Sequence, residues 1–378
     1  MSLAFTEEQE ELRRIVRRFV EETAPSAEVR RLMATTDGFD PTVWKRMAAE
    51  LGLQGIAIPE ALGGQGLGPV ELGIALEEMG RLLHCSPFFS TVCLGATAIA
   101  AAGTQDQRAE LLPGIASGDS IATLALAEPN GRWDAEGITA TAAGDSGEGF
   151  RLTGTKSFVL DGNTASLIVV AARRPGTSGQ DGVGLFVVRG DADGLARTPL
   201  ATLDQTRKQA ALDFAGVAAT ALGPEPYAGW PALAKTLDQV AVYLSAEMVG
   251  GAQRCLDMAV DYAKNRVQFG RPIGSFQAVK HRCADMLLAV ESARAASSYA
   301  LWVVAEEGDE LPIVAPLSKA YCSEAYFQAA TDNIQIHGGM GFTWEHDAHL
   351  YFRRAKSSEL LFGDPTYHRE LLAQRLGI

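Results

Sequence analysis

Two stretches of the 378-residue sequence carry chemistry that ordinary packing does not require. The first runs Arg266-Val-Gln-Phe-Gly-Arg-Pro-Ile-Gly-Ser-Phe-Gln-Ala-Val-Lys-His and gathers Arg266, Arg271, Lys280 and His281 in a chain of net charge −13. A helix is expected to end near Phe269-Gly270, the chain to turn through Arg271-Pro-Ile-Gly, and Ser275 to cap the next helix. Arg266 can then grip a phosphate with two parallel hydrogen bonds. Equally, an Arg near a helix C-terminus is favourable through the helix dipole alone. The second stretch is Gln335-Ile-His-Gly-Gly-Met-Gly-Phe-Thr-Trp-Glu-His. Three glycines within four positions let another molecule approach the backbone closely, and a plain helix-ending loop rarely needs more than one. His337, His346 and His349 lie nearby, but no spacing among them matches a metal set with carboxylate or thiolate partners.

A third candidate is a single carboxylate. Glu247 stands seven residues after Val240, two helical turns on and only about 20° around the axis. It therefore shares the apolar stripe of Leu237, Val240 and Leu244, and Gly250-Gly251 beyond it permits close packing. A carboxylate so placed is either a functional acid or a core-edge group paired with an Arg or Lys of another helix. Gly63-Gly-Gln-Gly-Leu-Gly imitates a phosphate loop. Pro69 falls where G-x-G-x-x-G would put its last Gly, and no strong strand precedes it, so it reads as a tight turn.

The elements that must hold these residues come in three textures. Residues 1–119 read as helical: Leu12, Ile15, Val16, Phe19 and Val20 follow the amphipathic period, with Thr6 before Glu7, Glu8 and Glu10 at the start. Further helices are expected over Pro41–Leu51, Pro69–Leu82 and Gln105–Ala116. Residues 120–228 hold short β-branched runs, from Gly137, Ser166 and Gly184, separated by turn formers such as Asp145-Ser-Gly-Glu-Gly and Asp161-Gly-Asn. That alternation predicts an antiparallel sheet or barrel. Residues 229–378 return to helix: Leu233, Leu237, Val240, Leu244, Met248 and Cys255 mark one face of a long first helix. A second runs from near Ser275 past Trp302, and a third covers about Val314 to Ile336. No βαβ alternation supports a doubly wound nucleotide fold, and no repeat of solenoid period is visible.

Composition narrows the function. With 47% hydrophobic and 21% charged residues the chain is globular, and its pI of about 5.0 disfavours phosphate backbones, so nucleic acid is not an expected partner. The longest apolar stretch, near Val92 to Gly103, is shorter than the roughly 18–20 residues that span a bilayer. The acidic start, MSLAFTEEQEELRR, shows no apolar signal segment. Cys85, Cys93, Cys255, Cys283 and Cys322 are odd in number and scattered, which suggests a reducing, cytoplasmic setting rather than a disulfide framework.

Together these residues resemble the acyl-CoA dehydrogenase family over nearly the whole chain. Pro59-Glu-Ala-Leu-Gly-Gly-Gln-Gly is similar to its N-terminal loop, and Ala127-Glu-Pro and Leu152-Thr-Gly-Thr-Lys to its β-domain markers. Arg266–Gln277 and Gln335–Phe342 resemble its two FAD-contacting signatures. The resemblance implies an α+β multidomain chain: an N-terminal helical domain, a central antiparallel β-barrel or sandwich and a C-terminal four-helix bundle. It implies FAD held between subunits, its adenosine and pyrophosphate end met by Arg266, Gln268, Phe269, Gln277, Gln335, Gly338 and Gly339. It also implies a flavin oxidoreductase that dehydrogenates an acyl-CoA thioester and passes electrons to an electron-transfer flavoprotein.

The flavin-ring half departs from the family pattern, which has hydroxyls where this chain has Ala127, Trp133 and Leu160. An Arg common near the acyl-CoA site is Ala241 here, while the preceding acid survives as Asp238, the candidate substrate contact. The family's two usual base positions are Phe362 and Val240. Glu247 is the first candidate base and Asp364 the second. Ala246-Glu-Met-Val-Gly-Gly-Ala-Gln, Thr343–His349 and Phe362-Gly-Asp-Pro resemble an actinobacterial branch that acts on steroid side-chain thioesters. That branch forms α2β2 heterotetramers and carries its base on this helix. A homo-oligomer or a heterotetramer is therefore expected. The alternative function is a half-site subunit that completes a homologous partner's FAD site; a flavin monooxygenase or nitroalkane-type oxidase has no supporting residue.

Overall fold

The structure, a computed structural model, describes residues 5–145, 147 and 149–378. The reading of the first four residues, and of Ser146 and Glu148 in the 145–149 turn, lies outside the described residues. Six α-helices come first among the described residues: α1 (Glu7–Thr23), α2 (Ser26–Met33), α3 (Pro41–Leu51), α4 (Pro69–Arg81), α5 (Thr97–Ala102) and α6 (Gln105–Ala116). Thr6 starts α1 with a reciprocal cap. Its Oγ1 accepts the Gln9 N–H, the Gln9 side chain accepts the Thr6 N–H, and three glutamates fill the first turn. Asp40 caps α3 through the Thr42 N–H, with Pro41 at the first helical position and left-handed Gly52 at the end. The glycine-rich segment after Pro59 is a turn, with Gly63 and Gly66 at positive φ.

The strands follow: β1 (Ala122–Ala125), β2 (Thr141–Asp145), β3 (Gly149–Leu160), β4 (Leu167–Arg173), β5 (Val183–Arg189), β6 (Leu195–Pro199) and β7 (Gln209–Leu222). β4 pairs with β5, β5 with β7, β7 with β3, β3 with β2, and β2 with β4 through Thr141 and Arg173, so five strands close into a barrel. Closure removes the sheet edges that would otherwise invite other chains. Two pairings, β1–β4 and β2–β4, are parallel, so the sheet is mixed rather than wholly antiparallel. Phe150, Leu152, Ile168, Val170, Phe186 and Leu212 are among the side chains that fill its core, and Phe150 and Phe186 rings lie 5.1 Å apart. Of the run from Gly137, only Thr141 enters a strand. Asp134 caps a short 3₁₀ turn at Ala135–Gly137 and diverts the backbone.

The last third holds α7 (Trp230–Asn265), the hairpin β8 (Val267–Gln268) and β9 (Arg271–Pro272), α8 (Gln277–Ala305), α9 (Leu311–His337), α10 (Ala348–Leu360) and α11 (Pro365–Leu376). Two details correct the expectation. The first long helix stops at Asn265, and Phe269-Gly270 is the turn of a two-stranded hairpin, both residues at positive φ. Ser275 does not cap α8: its hydroxyl donates to Pro272 O, and Phe276 occupies the cap position without a side-chain bond.

Two compact units share the chain. One contains the described residues up to Arg30, Pro69–His84 and Ala241–Ile378; the other contains Arg31–Gly68 and Cys85–Val240. Helices α1 and α4 thus belong with the C-terminal helices. Within that unit α9 packs on α8, α10 and α11, and α4 on α1 and α8. Where α4 passes α7, Gly80 lies against the Glu247 carbonyl and Gly250 against the Glu77 carbonyl, with no room for a Cβ at either. Arg13 bridges Glu77 (2.9 Å) and Glu78 (3.2 Å), Arg17 also binds Glu78, and Arg294 closes on Glu77, tying α1 and α8 to α4. Among the described residues the five cysteines form no disulfide, and no helix is long and apolar enough to cross a membrane.

Candidate active site

The basic and glycine-rich stretches meet at the ends of α7 and α9. Tyr262, one turn before the end of α7, stacks on His337, the last residue of α9, with ring centroids 4.3 Å apart. Arg266 follows α7 and is exposed, and its guanidinium has no hydrogen bond or ion pair among the described residues. Gln268 and Phe269 sit in the hairpin and Gln277 opens α8, all exposed; Phe269 is 92% exposed. On the other side Gln335 is exposed, Gly338 has φ 61°, and a Cβ on Gly338 or Gly339 would meet nothing within 4 Å. Phe342 (78% exposed), Trp344 and Met340 extend this apolar edge.

So many uncovered aromatics beside an uncommitted guanidinium describe a surface made for a ligand or a partner chain. The donors suit a pyrophosphate and the rings suit a heteroaromatic base. The residues therefore fit the adenosine and pyrophosphate half of FAD. All seven lie on the outside of their unit.

The other expected residues are placed differently. Ala127 and Leu160 are 2% exposed and bring no hydroxyl, and Trp133 is half-buried. The backbone beside Ala127 is pinned: Ser157 N–H donates to Ala127 O (2.8 Å), and Lys156 Nζ donates to Leu126 O (2.9 Å) and the Glu128 carboxylate (2.7 Å). Burial drives Lys156 down to about 8 against the pull of Glu128. Thr139 and the Ala140 N–H also bond Glu128. Asp238, on the second unit's part of α7, is buried, as are Val240 and Phe362.

Glu247 is buried in the first unit, and its partner is Arg354 of α10. Nη1 donates to Oε1 at 2.6 Å between side chains only 5% and 8% exposed. His84 shares this interior; burial first, and the Arg354 charge second, push it down to about 4, so it is neutral at pH 7. The Tyr326 hydroxyl of α9 is buried, has no hydrogen-bond partner among the described residues, and feels both Glu247 and Arg354. Asp364 is occupied as the cap of α11, where Oδ1 accepts the Tyr367 N–H at 2.7 Å. Lys319, fully buried, donates to the Glu359 and Gly363 carbonyls (both 3.1 Å) and anchors the loop that carries Phe362 and Asp364.

Sequence reasoning named Glu247 but missed Arg354 and Lys319. Their only signal was a cation at a helical position that the apolar period would bury. Among the described residues, no three His, Cys, Asp or Glu side chains are grouped to hold a metal ion.

Comparison with known proteins identifies the family. Three family models match in order: acyl-CoA dehydrogenase N-terminal domain over residues 6–119, middle domain over 123–216 and C-terminal domain over 227–377. The chain is 36% identical over 367 residues to acyl-CoA dehydrogenase IpdE2 of Mycobacterium tuberculosis, covering 97% of this chain and 95% of that protein. Among solved structures, a variant of the Tcur3481-Tcur3483 steroid ACAD superposes with a TM-score of 0.89 at 33% identity over 98% of both chains. The ChsE4-ChsE5 complex from Mycobacterium tuberculosis gives a TM-score of 0.89 at 30% identity over 100% of this chain and 99% of that one. With all three domain models matched along its length, the chain belongs to the acyl-CoA dehydrogenase family, flavin oxidoreductases that act on CH–CH bonds.

Proposed function

We propose that this chain serves the FAD-dependent α,β-dehydrogenation of an acyl-CoA thioester, inside an oligomer that covers the α7–α9 edge. The observation that carries the reading is the exposure of all seven cofactor-contact residues on one chain, with Arg266 uncommitted. Such an edge holds one end of a dinucleotide and leaves the rest to another chain.

In the proposed reaction Glu247 takes the α-proton of the thioester, and the electrons of that C–H bond form the double bond as the β-hydrogen leaves as hydride. Bound FAD supplies the hydride acceptor. Arg266, Gln268, Phe269, Gln277, Gln335, Gly338 and Gly339 hold its adenosine end, and Asp238 lies toward the substrate. Asp364 is the second choice of base, although capping α11 already engages it. An electron-transfer flavoprotein as acceptor, a cytoplasmic location and domain limits of 1–119, 120–228 and 229–378 belong to the same proposal.

A second reading is favoured by the Glu247–Arg354 pair and the apolar Ala127 and Leu160. In it the chain is a half-site subunit of a heterotetramer, completing the FAD site of a homologous partner. Flavin content per chain, for the protein alone and co-purified with a co-encoded homologue, separates the two. Glu247→Gln should lower turnover of the loaded complex by at least about 10²-fold, since a positioned base contributes about 10²–10⁴. Turnover that survives this change, with flavin and fold intact, assigns the base to the partner.

A further inference from the structure

We propose that Arg354 is a positioning residue for the Glu247 carboxylate, an inference that rests on Glu247 being the base. Three observations converge on the pair. It is short and shielded: Arg354 Nη1 meets Glu247 Oε1 at 2.6 Å with both side chains nearly closed to solvent. The backbone under Glu247 has little freedom, because Gly80 of α4 abuts its carbonyl and Gly250 of the next turn abuts the Glu77 carbonyl. Two further titratable rings feel the Arg354 charge: His84 is neutral at pH 7, and burial keeps the Tyr326 hydroxyl protonated. The guanidinium is thus a fixed charge beside a carboxylate whose own helix cannot shift.

Chemically, this fixes the orientation of the carboxylate. A charge-assisted hydrogen bond between guanidinium and carboxylate is short and directional. It holds the group within the narrow geometry that proton transfer demands, where a displacement of about 1 Å can cost about 10²-fold in rate. Arg354 touches Glu247 and acts through it.

A double-mutant cycle on the purified, FAD-loaded complex tests this, with Glu247→Gln, Arg354→Met, Arg354→Lys and the double variant Glu247→Gln/Arg354→Met. The probes are α-dideuterated and unlabelled butanoyl-, octanoyl- and steroid side-chain CoA thioesters. Arg354→Met should lower kcat by about 10–10²-fold and raise the α-deuterium isotope effect, with FAD content held. Arg354→Lys should recover part of the rate. In the Glu247→Gln background, Arg354→Met should lower kcat no further, because its target is gone. In infrared difference spectra recorded without substrate, the carboxylate band that Glu247→Gln removes should be displaced in Arg354→Met.

A structural cross-link gives another pattern: fewer folded molecules, but unchanged kcat and isotope effect per FAD-loaded molecule. That result overturns the proposal, as does a further loss of rate in the double variant. Full turnover by Glu247→Gln overturns the base assignment instead, and absence of turnover with every probe overturns the acyl-CoA reading beneath both.

Discussion

Replacing Gly250 with Ala puts local and tertiary energetics in direct opposition. Within a helix the change should stabilise by about 1 kcal/mol, since Gly is the poorer helix former. Here the added methyl would fall well inside 3.0 Å of the Glu77 carbonyl oxygen and 3.1 Å from the Arg81 N–H nitrogen. Both are backbone atoms of α4, so no rotamer change relieves the clash and the two helices must part. A gap of about 1 Å forfeits up to half of each dispersion contact along the crossing. Overpacking of this kind costs about 1–3 kcal/mol and sometimes more. With separation loss added, the packing cost should exceed the propensity gain by about 2 kcal/mol.

Urea unfolding followed by far-ultraviolet circular dichroism reads the sign directly as a lowered midpoint. Gly80→Ala should behave alike, and the double variant should cost less than the sum because both open one crossing. Gly114→Ala is the control. It sits in α6 with only the Ser120 hydroxyl in the way, at 2.9 Å, so it should gain stability. If Gly250→Ala is neutral or stabilising, α4 and α7 do not pack as described, and the restraint on Glu247 disappears with them.

Other outcomes follow from the same coordinates. Lys156→Met strands the buried Glu128 and should destabilise by about 3 kcal/mol, the low end for a broken buried pair because backbone N–H groups still hold the carboxylate. Glu128→Gln added to it should recover much of the loss in the same unfolding assay. Burial, with the Arg354 and Lys319 charges adding to it, holds His84 near 4 and His368 near 3. The unfolded chain takes these protons near 6.5. Each ring should therefore remove about 1.4 kcal/mol of stability per pH unit as pH falls below 6.5 toward 4. Comparing wild type with His84→Gln and His368→Gln across that window checks the slope, and equal slopes would refute it. Arg266→Ala should weaken FAD retention through a charge-assisted contact of about 1.5–3 kcal/mol, measured by flavin release on dialysis. Unchanged retention would remove Arg266 from the site.

Much of this was legible because local signals were strong and agreed with the tertiary result. Thr6 before its glutamates announces a helix by capping chemistry, and the structure begins α1 just after it; the spans expected from period, Pro41–Leu51 and Gln105–Ala116, are those of α3 and α6. The strand runs from Ser166 and Gly184 were readable as continuous β-branched stretches, which become the fully buried β4 and the largely buried β5. Ser275 failed as a cap because the 3₁₀ turn before α8 claims its hydroxyl for Pro272 O, a competition between local hydrogen bonds that spacing does not reveal. Glu247 was found by its phase on the apolar stripe. Arg354 was not, since a partner 107 residues away depends on how α10 packs against α7. Of the seven proposed cofactor contacts, Arg266, Gly338 and Gly339 stood out by residue chemistry, whereas Gln268, Phe269, Gln277 and Gln335 came through motif likeness; the exposure of all seven is a property of the folded surface.

The first compact unit is discontinuous: α1 and α4 lie near the start of the chain, while the helices they pack against begin at Ala241. During synthesis the second unit can close as soon as Val240 has emerged. Residues up to Arg30 and Pro69–His84 must wait for the remaining 138 residues, Ala241 to Ile378. At ribosomal speeds of about 5–20 residues per second, that interval is on the order of ten seconds. Throughout it Val16, Phe19, Val20, Leu72, Ile74 and Leu76, all destined for burial, stand uncovered. A nascent chain in this state is a natural client for chaperones. A truncation that removes α10 and α11 should leave the N-terminal helices sticky rather than simply inactive.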